Sequence, residues 1–153
     1  MIPPVEKSIF VPLPPNEAFA LFTERMAQWW PMHTHSLSAH GDGQPSKDVT
    51  FEPHLGGRIL ETCSDGEVRP WATVTTWKPG VQFVLSWYVG RPETEATEVD
   101  VRFSREGSGT RLLLTHSGFN ALPENGQETR DGYNGGWVGV LETHYLGACQ
   151  SVD

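Results

Sequence analysis

Cysteine is nearly missing from this chain. There are two in 153 residues, Cys63 and Cys149. They have no CxxC spacing and are too few for a disulfide framework. Reduced thiols in a cytoplasmic protein are the expectation, although a bridge between the two is a question of geometry. Basic charge is also scarce. Eleven Lys and Arg stand against nineteen Asp and Glu, a net charge of −8, and the basic residues do not cluster. Such a chain is repelled by phosphate backbones and anionic lipid surfaces, which argues against a nucleic-acid partner. No apolar run approaches the ~20 residues of a membrane span, and the opening MIPPVEKSIFV has no signal-peptide pattern. Catalytic motifs are missing too. There is no GxSxG elbow, and His116-Ser117-Gly118 is not a triad signature. Neither Gly41-Asp42-Gly43 nor Gly135-Gly136 has the spacing of a phosphate loop, and Glu61 has no partner carboxylate at a spacing suited to acid–base work.

What is present is a single domain, 1–153, long enough to bury a sizeable core. Val5–Val11 reads as a strand, and the prolines at 12, 14 and 15 lead into a helix from Asn16 to Trp30 with Phe19, Phe22, Met26 and Trp30 on one face. Residues 32–47 have no period and are long for a plain connection, so a short helical turn or a functional flap is expected there. From Asp48 the period becomes two. Strands are read at 48–53, 58–64, 71–77, 81–89, 99–103 and 110–117, separated by turn signals such as Asp65-Gly66 and Pro79-Gly80. Consecutive strands with short turns mean an antiparallel sheet, with helices at the two chain ends covering one face.

The last stretch, 123–150, reads as one long helix. At about 100° per residue, Tyr133, Trp137, Val140, Leu141, His144 and Ala148 share a stripe. Gly132, Gly135, Gly136 and Gly139 sit in the same helix, each costing roughly 1 kcal/mol relative to alanine. Gly136 and Gly147 lie on the apolar side, where they either admit a close sheet or leave volume open beside the aromatics. Val138, Tyr145 and Leu146 fall off the stripe and require a second contact.

The run PxxGGR at Pro53–Arg58, then DGE, the tryptophans with KPG, FVLSW and finally GYNGGWVGVL resembles the activator of heat shock protein 90 ATPase homologue (Aha-type) family, of the START-like or SRPBCC superfamily. The resemblance covers nearly the whole chain. It implies an α+β helix-grip fold: a curved antiparallel sheet of six or seven strands around a long C-terminal helix, with a shorter N-terminal helix and a cavity between. Superfamily members carry lipids, hormones and polyketides, and some are cyclases or hydrolases. The recognisable domain begins near residue 5, so the added chaperone-binding domain of the eukaryotic co-chaperones is not expected.

Strand alternation supplies inward sets: Val99, Val101 and Phe103; Leu112, Leu114 and His116; Phe83, Leu85 and Trp87. Trp71, Thr73, Thr75 and Trp77 are taken in the same sense, against the contrary signal of Ala72 and Val74. The expected ligand-binding residues are therefore Trp71, Thr73, Phe83, Trp87, Val101, Phe103, Leu114, His116, Tyr133, Trp137, Val140 and His144, holding a small hydrophobic molecule without cofactor or metal. The competing reading is a filled core. His116 and His144 are read either as orienting groups for a ligand or as core histidines satisfied internally. Glu61 is read as ion-paired to Arg58, Arg69 or Arg102, or exposed. His33, His35, His40 and His54 are read as loop histidines rather than a zinc site. Two rival functions remain. One is a cavity enzyme of cyclase, dehydratase or hydrolase type. The other is a chaperone contact or homodimer through an exposed Trp29-Trp30 turn with Val138, Tyr145 and Leu146.

Overall fold

The computed structural model describes residues 1–151. Seven strands form one antiparallel sheet: β1 (Val5–Val11), β2 (Asp48–Phe51), β3 (Arg58–Thr62), β4 (Val68–Lys78), β5 (Gln82–Trp87), β6 (Thr97–Glu106) and β7 (Gly109–Ser117). Their order is β1-β7-β6-β5-β4-β3-β2. The strands β2 to β7 form a meander in chain order, and β1 adds at the far edge against β7. Two helices, α1 (Pro15–Phe22) and α2 (Leu37–Gly41), precede β2, and a long C-terminal helix beginning at Gly126 follows β7. The helix-grip architecture expected from the sequence is present.

Register explains which side chains are inside. Phe83 pairs with Val101, Leu85 with Val99, Val101 with Leu114, and Phe103 with Leu112, so cross-strand neighbours share the helix-facing surface. Strand β4 departs from the expected alternation because it carries two irregularities. Ile59 pairs with Ala72 and Leu60 with Pro70, which leaves Trp71 as an extra residue. Val74 pairs with Leu85 and Thr76 with Val84, which leaves Thr75 extra. A bulge sets two residues against one and resets the phase of the strand. Trp71 and Ala72 are consequently both buried, while Thr73 lies opposite Ser86 and exposed Arg58, on the face away from the helix.

The first helix is shorter than its sequence suggests. Pro15 sits at its first turn, and Thr23 ends it by turning its hydroxyl back to the Phe19 carbonyl at 2.9 Å. A single 3₁₀ turn, Met26–Gln28, follows. That break lets both neighbouring tryptophans turn inward. Trp29 donates its indole N–H to the Leu21 carbonyl at 2.8 Å, and Trp30 to the His35 carbonyl at 2.7 Å. They are 5% and 7% exposed, so the surface turn expected at this pair is corrected to core.

The C-terminal helix also differs from an unbroken α-helix over 123–150. Asn125, in a left-handed conformation, precedes its first α segment, α3 (Gly126–Val138). A π-helical segment, Gly139–Tyr145, comes next, and α4 (Leu146–Gln150) closes it. At the end of the π segment the Leu146 N–H reaches the Leu141 carbonyl, five residues back. Wider turns make each later side chain lag behind a 100° period. Tyr145, off the stripe by that period, is fully buried and donates its hydroxyl to the Ala18 carbonyl at 2.7 Å. His144, on the stripe by that period, is only half-buried.

The inner surface divides into two halves. Phe19, Phe22, Phe51, Phe83 and Phe103 fill one with rings 5.2–6.2 Å apart. Trp30, Trp71, Trp87 and Trp137 meet in the other at 5.2–6.5 Å. Among the described residues no helix is long and apolar enough to cross a membrane.

Removal of the Tyr145 hydroxyl measures the helix phase. Tyr145→Phe should lower stability by about 1–2 kcal/mol through the loss of a buried hydrogen bond, read as a lower urea midpoint at unchanged slope. No change would place Tyr145 at the surface.

Candidate ligand cavity

The tryptophan half of the interior contains a cavity of about 110 Å³, lined by Trp30, His35, Ser36, His40, Trp71, Trp87, Val89, Tyr133, Gly136, Trp137 and Val140. Three parts of the chain build it. Strands β4 and β5 supply Trp71 and Trp87. The last turns of α3 supply Tyr133, Gly136 and Trp137, with Val140 from the π segment. The flap at 32–47, which contains α2, supplies His35, Ser36 and His40. A Cβ added to Gly136 would meet nothing nearer than the His35 Nε2 at 3.7 Å, so this glycine leaves volume beside the aromatics.

The flap is fastened at its base by a buried carboxylate. Glu61 is fully buried in β3, and its Oε1 accepts from the Leu37 N–H at 2.8 Å and the Trp71 indole at 2.9 Å. Its Oε2 accepts from the Ser38 N–H at 3.1 Å. These donors include the first free amides of α2, where a negative charge is favoured. Ser36 caps the same helix through its hydroxyl on the Ala39 N–H at 3.0 Å. The arginine partner or solvent exposure expected for Glu61 is thus replaced by two backbone amides and an indole.

Behind the cavity lies His116, with no exposed surface. Its Nδ1 accepts from the Trp137 indole at 3.1 Å, so the proton of the neutral ring sits on Nε2 and is donated to the Thr97 hydroxyl at 2.7 Å. Thr97 in turn donates to the Trp87 carbonyl at 3.4 Å. Burial pushes the imidazole down to about 3, which keeps it neutral. Both nitrogens are used by the protein, so no ring atom is left to orient a ligand. Trp87 donates its own indole N–H to the Tyr133 hydroxyl oxygen at 3.0 Å. Burial first of all raises the Tyr133 phenol above its usual value, against opposing effects of Trp87 and Arg91, so its proton stays on.

Five of the twelve residues expected from the sequence line this cavity: Trp71, Trp87, Tyr133, Trp137 and Val140. Phe83, Val101, Phe103 and Leu114 are buried in packed core away from it. Thr73 points elsewhere and shares a 2.9 Å hydrogen bond with the Tyr88 hydroxyl. His144 lies at the flap, its ring 6.0 Å from that of His33. Trp30, His35, Ser36 and His40 went unrecognised as lining residues. The HxH run with its flanking serine was the available signal, but no periodicity fixes a flap on a cavity.

His33, His35, His40 and His144 gather where the flap meets the helix. The His35 imidazole is held below its ordinary value by burial first, then by His40, His144 and His33. Among the described residues no three His, Cys, Asp or Glu side chains are placed to hold a metal ion. Both cysteines are free and buried. Burial raises the Cys63 thiol and pushes Cys149 up to about 11, so neither is an activated nucleophile.

A curved antiparallel sheet closed by a C-terminal helix, with a cavity held between them, defines a helix-grip protein. The chain belongs to the Activator of Hsp90 ATPase homolog 1-like protein family, whose profile matches residues 12–143. No curated protein matches it significantly in sequence. Among solved structures it is similar to protein MLL2253 from Mesorhizobium loti, at 18% identity and TM-score 0.67 over 96% of both chains. It is similar to the anthrahydroquino-γ-pyrone synthase Txn09, at 28% identity and TM-score 0.61 over 87% of this chain and 88% of that one. It also resembles the Aha1 dimer from Colwellia psychrerythraea, at 16% identity and TM-score 0.66 over 94% and 92%.

The linkage of His116 to folding has a definite sign. The unfolded imidazole titrates near 6.5 and the folded one near 3, so between these values the unfolded chain holds more protons. Stability should therefore fall as pH drops below 6.5, by up to about 1.4 kcal/mol per unit. Urea titrations between about pH 6.5 and pH 5, above most carboxylate titration, should show a shallower slope in His116→Gln than in the wild type. Equal slopes would mean that the buried ring is not the group responsible.

Proposed function

We propose that the protein binds a small apolar ligand, about one ring in size, in the cavity between β4, β5, the flap and the C-terminal helix. One observation carries this reading: four tryptophans and a tyrosine surround a space that no side chain fills, beside a glycine whose replacement would fill it. Apolar lining with a few polar points suits small-molecule recognition. At about 110 Å³ the space is far below the roughly 300–1,000 Å³ of ordinary ligand pockets. It does not hold an acyl chain or a fused ring system in this conformation. It is close to the ~150 Å³ of an engineered apolar cavity that takes benzene. Likeness to a synthase of the same fold supports ligand binding as the use of the space.

Catalysis through His116 or Glu61 has less support, because both ring nitrogens of the one and both carboxylate oxygens of the other are hydrogen-bonded to protein partners. The chaperone-contact and homodimer readings lose their main surface. Trp29, Trp30 and Tyr145 are buried, leaving Val138 exposed and Leu146 half-buried.

Gly136→Leu provides the test. Toluene at 100 times its Kd should stabilise the wild type by about 2.7 kcal/mol, a rise of several degrees in Tm. The same titration should leave Gly136→Leu unmoved, with a starting Tm no lower than that of the wild type. Failure of toluene, benzene and indole alike to shift the wild-type Tm would overturn the proposal.

A further inference from the structure

We propose that the cavity selects a ring carrying an oxyanion, an aromatic carboxylate or phenolate, with the ring among the tryptophans and the oxygen between the Tyr133 hydroxyl and the imidazoles of His35 and His40. This inference rests on the binding reading above and adds the chemistry of the ligand's polar end.

Three observations converge on it. The first is an unspent donor. The Tyr133 oxygen receives the Trp87 indole proton at 3.0 Å, but no protein acceptor among the described residues takes the Tyr133 proton. Tyr133 lines the cavity, so that proton is available to a ligand acceptor, and the indole behind it polarises the hydroxyl toward donating. The second is the ring edge opposite. His35 Nδ1 lies 2.8 Å from the Thr34 hydroxyl, while its Nε2 and Cδ2 edge faces Gly136, one helical turn on from Tyr133. Its Nε2 has no protein partner among the described residues. His40 lines the same space and is exposed, so the polar end of the cavity reaches solvent there.

The third is the local balance of charge in a chain of net −8. The groups acting on His35 are three further imidazoles, His40 and His33 from the flap and His144 from the helix. The cation acting on Tyr133 is Arg91, from the loop between β5 and β6. Neighbouring carboxylates are engaged elsewhere. Glu61, behind Trp71, is spent on two amides and the indole. Asp42 accepts from Ser64 Oγ at 2.6 Å and the Gln44 N–H at 2.9 Å. Glu95 pairs with Arg91 at 3.2 Å, which leaves that cation partly neutralised. Glu142, two residues before His144, is exposed. Protonating half-buried His35 is disfavoured by burial and by the imidazoles around it, and a bound oxyanion relieves that cost by charge-assisted hydrogen bonds. Binding and proton uptake are therefore coupled, and affinity rises as pH falls through the histidine range.

The experiment compares toluene with benzoate, which is ionised throughout, at about pH 5.5 and pH 8. Tryptophan fluorescence gives Kd, and calorimetry in two buffers of different ionisation enthalpy gives the protons taken up. Benzoate should bind roughly tenfold more tightly at the lower pH with net proton uptake, a difference typical of one charge-assisted hydrogen bond. Toluene should bind equally at both. The double variant His35→Asn, His40→Asn should lose both the pH dependence for benzoate and the proton uptake that accompanies its binding. Toluene binding without benzoate binding, or benzoate affinity independent of pH, overturns this proposal and leaves the cavity reading intact. Binding of neither probe overturns both.

Discussion

The imidazole of His116 gives both of its nitrogens to the protein, and through them the Trp137 indole and the Trp87 backbone are held in place. Trp137 on the C-terminal helix donates to one nitrogen, and Thr97 on β6 accepts from the other. Thr97 continues to the Trp87 carbonyl, and Trp87 to Tyr133. One neutral ring thus ties two strands to the helix and fixes how the Trp137 indole is turned. Apolar side chains around a void would otherwise gain dispersion energy by leaning into it. Indoles held by their N–H groups give up a hydrogen bond if they lean. A buried chain of directional hydrogen bonds is rigid in a way that a cluster of phenylalanines is not.

That contrast separates the two halves of the interior. The phenylalanine rings carry no polar atoms, and they close on one another in edge-to-face and tilted pairs. The tryptophan half has an N–H on each indole, and each finds a separate acceptor: Trp30 on the His35 carbonyl, Trp71 on Glu61, Trp87 on Tyr133, Trp137 on His116. Four directional constraints in one place leave space that packing alone would remove. Phenylalanines thus pack closed on one side, and tryptophans leave a ring-sized opening on the other.

The sheet was legible where its period ran undisturbed. Val99, Val101 and Phe103 on β6, and Leu112, Leu114 and His116 on β7, alternate without a bulge, and all are buried. Strand β4 was not legible in the same way, because extra residues at Trp71 and Thr75 shift its phase twice and no residue type announces a bulge in advance. The C-terminal helix posed a similar problem. A π-helical segment exchanges the fates of His144 and Tyr145, neighbours whose burial depends on fewer degrees of rotation than the segment supplies. A helix continuing to Trp30 turns that residue inward with Phe19, Phe22 and Met26 but turns Trp29 outward, so the burial of Trp29 was not legible without the break after Thr23. For Glu61 the partners are backbone amides, which every residue possesses, so no pattern of side chains could mark them.

The attachment of the flap by Glu61 has a kinetic side. The carboxylate holds the amides of Leu37 and Ser38 at once, so the segment cannot peel away one bond at a time from that end without stranding a buried charge. His35, Ser36 and His40 ride on this segment and form one wall of the cavity. Widening the wall means moving the segment as a body about the chain on either side of it, and such collective motions belong to the microsecond-to-millisecond range. For any molecule the cavity takes, the pace of entry and exit would then be governed by a buried glutamate that does not line the space.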